Sequence, residues 1–215
     1  MQKEQKYSHV IWDWNGTLLN DVHWNLNVIN RMLEKRGLMT LNDISDYHGV
    51  FCFPIIRYYR NLGFDFDKEP FSVLAEEFIA LYHTDKTGNS PLFENAEFVL
   101  EKIKQKGITQ VILSASEIGN LLLQINEFNI IHYFDKILGL TDIYAKGKID
   151  VGIDYITKNE ATRTLLIGDT DHDFEVAKAL NIDCLLIANG HQSKDTLTKC
   201  KVPVLDDILQ VLEYV

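Results

Sequence analysis

Short apolar runs alternate with amphipathic stretches along the chain, and their order carries the fold. Val10-Ile-Trp12 is a brief β-type run that stops at the polar turn Asp13-Trp-Asn-Gly-Thr17, as a buried strand does when it delivers polar residues to its end. From Asp21 to Arg36 the apolar positions Val22, Leu26, Ile29 and Leu33 recur at helical spacing, with Asn20 or Asp21 as N-cap and Gly37 as the stop. Further helices are predicted from Pro54 to Leu62, ending at Gly63, and from Pro70 onward, where Leu74, Phe78 and Leu81 share a face. The turn-rich Thr87-Gly-Asn-Ser-Pro91 ends this strandless stretch.

Beyond Pro91 the rhythm becomes regular. Helices over 95–106, 117–128, 151–158, 174–180 and 207–214 interleave with strands over 110–113, 136–138, 164–167 and 184–187. Such repetition predicts an α/β fold, a Rossmann-like parallel sheet with helices on both faces. Residues 20–88 then read as a helical cap inserted after the first strand, and residues 1–19 with 89–215 as the α/β core.

The 215 residues are 46% hydrophobic and 24% charged, enough apolar side chain for a sizeable core and too much for a disordered chain. With 21 Lys and Arg against 31 Asp and Glu, the net charge is −10. An acidic body repels phosphate backbones, so neither nucleic acid nor an anionic membrane is an expected partner. Cys52, Cys184 and Cys200 are scattered and form no CxxC pair, which suits a reducing compartment. No stretch resembles a signal peptide or a membrane span, so the expected location is cytoplasmic. The spacing says nothing about oligomeric state.

In open parallel sheets, ligands bind beyond the carboxyl ends of the strands, so the residues there matter most. Asp13 follows the first strand, Ser114 follows Val111-Ile-Leu113, and Asp169 follows Leu165-Leu-Ile167 through Gly168. Lys148 precedes the helix that leads into that last strand. A carboxylate, a hydroxyl, an ammonium and further carboxylates are the parts that metal-assisted phosphoryl transfer through an aspartyl-phosphate requires. An anionic nucleophile approaches an anionic phosphate only if cations cancel the repulsion, and acidic oxygen ligands suit Mg²⁺. Asp13, Asp169 and the carbonyl of Asn15 are the expected metal ligands, with Asp173 as a direct or outer partner. Substrate contacts are expected from Ser114, Ala115, Lys148, Gly16 and Thr17. Ser114 has a plain helix N-cap as its alternative role, and Lys146 competes with Lys148. Inside the helical insertion, Tyr47-His-Gly-Val50 and Arg57 are candidates for a specificity loop, His48 and Arg57 touching substrate and the arginine suited to a carboxylate. A solvated arginine on an amphipathic helix is the competing reading.

Asp-Trp-Asn-Gly-Thr at 13–17, the strand ending in Ser114, Lys148, and Gly168-Asp-Thr-Asp-His-Asp173 together resemble the four motifs of the haloacid dehalogenase-like hydrolases. The chain is most similar to their phosphoglycolate phosphatase-like branch, over nearly its whole length. The resemblance implies Asp13 as nucleophile, Mg²⁺ as cofactor, and a cap that closes over a small phosphorylated metabolite.

One position departs from the pattern. Family phosphatases carry a second aspartate two residues after the nucleophile, as the group that protonates the leaving oxygen and then activates water; here it is Asn15. An amide cannot shuttle a proton, and loss of a general acid–base costs about 10²–10⁴-fold, so slow turnover is expected. The alternatives are a phosphatase of esters whose leaving groups need no protonation, a phosphate-metabolite-binding or interaction protein on the same fold, an Asn15 that is introduced or deamidated, and a phosphomutase.

Overall fold

The computed structural model describes residues 6–84, 90–141, 147–161 and 163–215. Its centre is a six-stranded, all-parallel sheet of β1 (His9–Trp12), β2 (Thr109–Glu117), β3 (Lys136–Leu140), β4 (Thr164–Gly168), β5 (Asp183–Ile187) and β6 (Val204–Leu205). The order is β3-β2-β1-β4-β5-β6. Successive side chains point to opposite faces, so each strand feeds two cores. Val10, Trp12, Ile112, Ile167 and Ile187 enter one, with Val99 and Ile103 of α5 (Ala96–Gln105) and Leu121 and Ile125 of α6 (Ile118–Glu127). Ile11, Val111, Leu166 and Leu186 enter the other, with Tyr155 of α7 (Lys148–Asn159) and Val176, Ala177 and Leu180 of α8 (Asp171–Leu180).

A third cluster stands apart from the sheet. Four helices, α1 (Val22–Lys35), α2 (Ile44–Val50), α3 (Ile55–Asn61) and α4 (Phe71–Thr84), close their apolar faces on one another around Ile29, Met32, Leu33, Tyr47, Tyr58, Tyr59 and Leu74. Arg36, at the end of α1, ties this bundle together. Its guanidinium donates to Glu69 Oε1 and Oε2 at 2.6 and 2.7 Å and to Glu77 Oε2 at 2.6 Å. Arg36→Ala is expected to cost about 1–2 kcal/mol in urea unfolding, a moderate figure because Glu69 is one-third exposed. The hydrogen bonds from Arg36 hold both carboxyls below their ordinary 4.5. Their contribution is therefore complete above that value and lost as pH falls through the depressed folded pKa values.

Several elements differ from the pattern reading. β2 continues to Glu117 instead of stopping at Leu113, because the small residues Ser114-Ala-Ser116 allow a register shift against β3. Gly139 faces that shift, where a Cβ would lie 2.9 Å from the Ser116 carbonyl. α7 begins at Lys148, ahead of the expected 151. The C-terminal helix is a 3-10 helix over Ile208–Glu213, opened by an Asp207–Gln210 capping box. α2, β6 and the four-residue α9 (Lys194–Leu197) are too short for periodicity to register. Among the described residues, no helix is long and apolar enough to cross a membrane.

Candidate functional site

The crossover direction of the sheet reverses between β1 and β4, and there the loops splay apart at the carboxyl edge. Asp13 leaves β1 with its backbone N–H still donating to Ile167 O of β4, at 2.9 Å. Asp169 follows β4, and Ser114 lies where β2 loses register. Of the buried polar side chains among the described residues, all but Gln110 and Thr164 belong to these edge segments.

Lys148 is the hub. Its ammonium, 3% exposed at the first position of α7, donates to Asp13 Oδ1 at 2.5 Å and to Asp173 Oδ1 at 2.6 Å. Asp173 in turn takes the backbone N–H and hydroxyl of Thr170 on its other oxygen, in the capping box that opens α8. Asp173 thus aims Lys148 as much as it faces the centre. The Thr17 hydroxyl donates to Asp169 Oδ1 at 2.9 Å, and the His191 N–H to Asp169 Oδ2 at 2.6 Å. Ligand oxygens of Asp13, Asp169 and Asp173 lie within 4.8 Å of one another. Burial pushes Asp13 up to about 8, with Lys148 opposing and Asp173 and Asp169 adding to the rise. Burial likewise lifts Asp169 to about 6, against the opposing pull of His191. Burial also raises Asp173, but the Lys148 cation outweighs it and brings that carboxyl below its ordinary value. The charged forms of Asp13 and Asp169 are therefore disfavoured unless a further positive charge joins Lys148, and a crowded, buried, all-oxygen set of this kind fits a divalent cation.

A second carboxylate centre adjoins the first. Asp21, fully buried, accepts from Asn15 Nδ2 at 2.7 Å, Tyr82 OH at 2.8 Å, Asn25 Nδ2 at 2.8 Å and the Gly16 N–H at 2.9 Å. It also pairs with His191 Nε2 at 3.3 Å, while His191 Nδ1 meets Tyr47 OH at 2.9 Å. Burial works against the charge on both partners. For His191 the Asp21 carboxylate prevails, with help from Asp169 and Asp13, and lifts the ring to about 9; Asp21 is held below its ordinary value chiefly by His191. The amide of Asn15 bridges Asp21 to the Ser116 hydroxyl, which donates to Asn15 Oδ1 at 2.8 Å.

The sequence-predicted residues divide accordingly. Asp13, Asn15, Ser114, Ala115, Lys148, Asp169 and Asp173 all line one cavity of about 200 Å³ between the sheet edge and α1, α3 and α4. The Ser114 oxygen accepts from Ser116 N–H, and the N-cap of α6 is Glu117. The Gly16 N–H is taken by Asp21 and Leu19 O, and Thr17 by the carboxylates, so both hold the frame rather than face the cavity. His48 bonds Gly190 O at 3.0 Å, which ties α2 to the loop after β5. Arg57 is exposed on α3 and is not among the cavity's lining residues. Lys146 lies outside the described residues. Asp21 sits at the N-cap position of α1 without a side-chain capping bond; its helical context hid the role it has here. Tyr82 gave no signal beyond that of a core aromatic, and Tyr47, expected in a specificity loop, instead meets His191 through its hydroxyl.

Residues 10–187 match the haloacid dehalogenase-like hydrolases as a family. A comparison with curated protein sequences gives no match. Similar solved structures include a predicted phosphatase from Clostridium acetobutylicum, with TM-score 0.81, 18% identity and 97% of each chain covered. A haloacid dehalogenase-like hydrolase from Streptococcus pneumoniae has TM-score 0.83 and 19% identity, with 97% of this chain and 98% of that one covered. A predicted phosphoglycolate phosphatase from Haemophilus somnus has TM-score 0.80 and 17% identity, with 99% of each chain covered. Because the family match runs unbroken from β1 to the end of β5, taking in Asp13, Ser114, Lys148 and Asp169 on the way, this chain belongs to the haloacid dehalogenase-like hydrolase family.

Proposed function

We propose that the protein is a Mg²⁺-dependent phosphomonoesterase acting on a small phosphorylated metabolite, with Asp13 as the nucleophile that carries the phosphoryl group. The observation that supports this best is the buried Lys148 clamped between Asp13 and Asp173, beside a carboxylate pair short of positive charge. Asp13 and Asp169 would hold the metal, with Asp173 adjacent and the Asn15 carbonyl as a further ligand. When bound, Mg²⁺ supplies charge neutralisation for the phosphoryl oxygens. Lys148 keeps an ammonium at the Asp13 carboxylate, where the phosphoryl charge arrives, and Ser114 offers a hydroxyl from the neighbouring strand. Residues 20–88 act as the cap, since the walls of the cavity come from both the sheet edge and α1, α3 and α4. In this reading His48 contributes through the seating of α2 on the loop after β5, and Arg57 lies on the outer face of α3.

Turnover is slow in this reading, because Asn15 is fixed by hydrogen bonds at both ends of its amide and carries no transferable proton. The test is phosphate release from a panel of phosphate monoesters with Mg²⁺ present. Chelation by EDTA is expected to stop release and added Mg²⁺ to restore it. Release that is indifferent to EDTA contradicts the metal assignment, and an inert panel contradicts the phosphatase.

A further inference from the structure

Resting on that reading, we propose that the substrate is a phenolic phosphate monoester whose ring carries a hydrogen-bonding substituent. Three independent features converge on it. Besides the carboxylates, the cavity is lined by the aromatic side chains of Phe51, Phe53, Tyr58, Phe71 and Phe78. Among the described residues lining it, Lys148 is the one Lys or Arg, and that ammonium is already committed to Asp13 and Asp173. Glu117 lines the same space. The charged His191 ring also lines the cavity but is paired with Asp21. Among the described residues, a substrate with a second anionic group, such as the carboxylate of phosphoglycolate, therefore meets no uncommitted cation, whereas a flat apolar ring meets matching surface.

The second feature is an orphan. The Tyr58 hydroxyl is buried and, among the described residues, has no hydrogen-bond partner. An unmet buried hydroxyl is costly, and Tyr58 is among the residues lining the cavity, so a ligand's polar atom that reaches this hydroxyl relieves the cost. A ring hydroxyl, carbonyl or nitrogen supplies that atom without adding charge.

The third is Asn15. Asp13 attacks phosphorus, the P–O bond to the leaving group breaks, and the electron pair departs on oxygen. With no acid at position 15, the departing anion must be stable unprotonated and collect its proton from solvent. Phenols ionise near 10 and aliphatic hydroxyls about five to six units higher, so a phenolate leaves where an alkoxide does not. Water then attacks the phosphorus of aspartyl-13-phosphate, breaks its P–O bond to Asp13, and yields inorganic phosphate, the water proton passing to phosphate or solvent. No base at position 15 assists this step either, so phenol release outruns dephosphorylation.

The experiment compares phenyl phosphate, 4-hydroxyphenyl phosphate, O-phosphotyrosine and a phosphotyrosine peptide with glycerol phosphate and phosphoglycolate, all with Mg²⁺. Expected are a burst of about one phenol per enzyme and kcat/KM at least about 100-fold above the alkyl esters. Tyr58→Phe is expected to raise KM for 4-hydroxyphenyl phosphate about fivefold more than for phenyl phosphate. Free aryl esters preferred over the peptide identify a small-molecule substrate, and the reverse identifies a protein phosphotyrosine; both support the phenolic class. Alkyl esters turned over as well as aryl ones overturn the class and leave the phosphatase standing. Release from no ester overturns both. An equal effect of Tyr58→Phe on the two aryl esters removes the substituent from the proposal.

Discussion

Substituting Asp13 by Asn is expected to abolish phosphate release, by at least about 10⁴-fold, while leaving the apoprotein as stable as before or more so. The second half of that expectation comes from charge crowding. Burial, with Asp173 and Asp169 nearby, lifts the Asp13 carboxyl from 3.8 to about 8. A carboxyl whose folded pKa is raised weakens the fold once pH exceeds the unfolded value, and the loss levels off above the folded one. An amide keeps the size and still accepts from Lys148 but carries no charge. Thermal unfolding of the apoprotein at pH 8 is therefore expected to show an equal or higher midpoint for the variant. The stabilisation gained on adding Mg²⁺ shrinks, because one of the ligands has lost its charge. Activity that survives the substitution would remove Asp13 as nucleophile, and a sharply lowered midpoint would show that the carboxylate holds the strand end together.

How far the sequence carried the argument depends on which residues worked alone. Asp13, Ser114 and Asp169 were legible because each ends an apolar run, and a parallel sheet gathers its strand ends whatever the packing between them. Lys148 was legible as one of two candidates; it is buried at the head of α7, and Lys146 lies outside the described residues. Asp21 was not legible as a site residue. Its five partners come from positions 15, 16, 25, 82 and 191, and no local spacing brings those together. Tyr82 was not legible, and Tyr47 was legible only as part of a candidate specificity loop, because their hydroxyls find partners only after α4 and α2 dock on the sheet edge. The fold classes of helix and strand were set by periodicity. What periodicity missed were elements of two to seven residues, β6, α9 and α2, whose stability comes from tertiary contact.

The contact between Asn15 and Asp21 also decides what happens when the acid is restored. Asn15→Asp places an oxygen where Nδ2 now donates, 2.7 Å from Asp21 Oδ2 in a buried setting. Two carboxylates that close share one proton, as a matter of like-charge repulsion in low dielectric. The single variant is therefore expected to lose about 1–3 kcal/mol of stability in urea unfolding. It is also expected to gain turnover on alkyl phosphates, the shared proton giving the leaving oxygen an acid. Asn15→Asp combined with Asp21→Asn exchanges amide and carboxylate across the same hydrogen bond. That pair is expected to recover most of the lost stability, with His191 now lacking its Asp21 counter-charge and its pKa falling from about 9. If position 15 alone limits the rate, the exchange raises kcat on glycerol phosphate by about 10²–10⁴-fold and erases the burst of phenol from aryl esters. A stable exchanged variant with unchanged kcat would mean that the rate is limited elsewhere, by cap closure or product release, and that Asn15 is a consequence of Asp21 rather than a cause of slow chemistry.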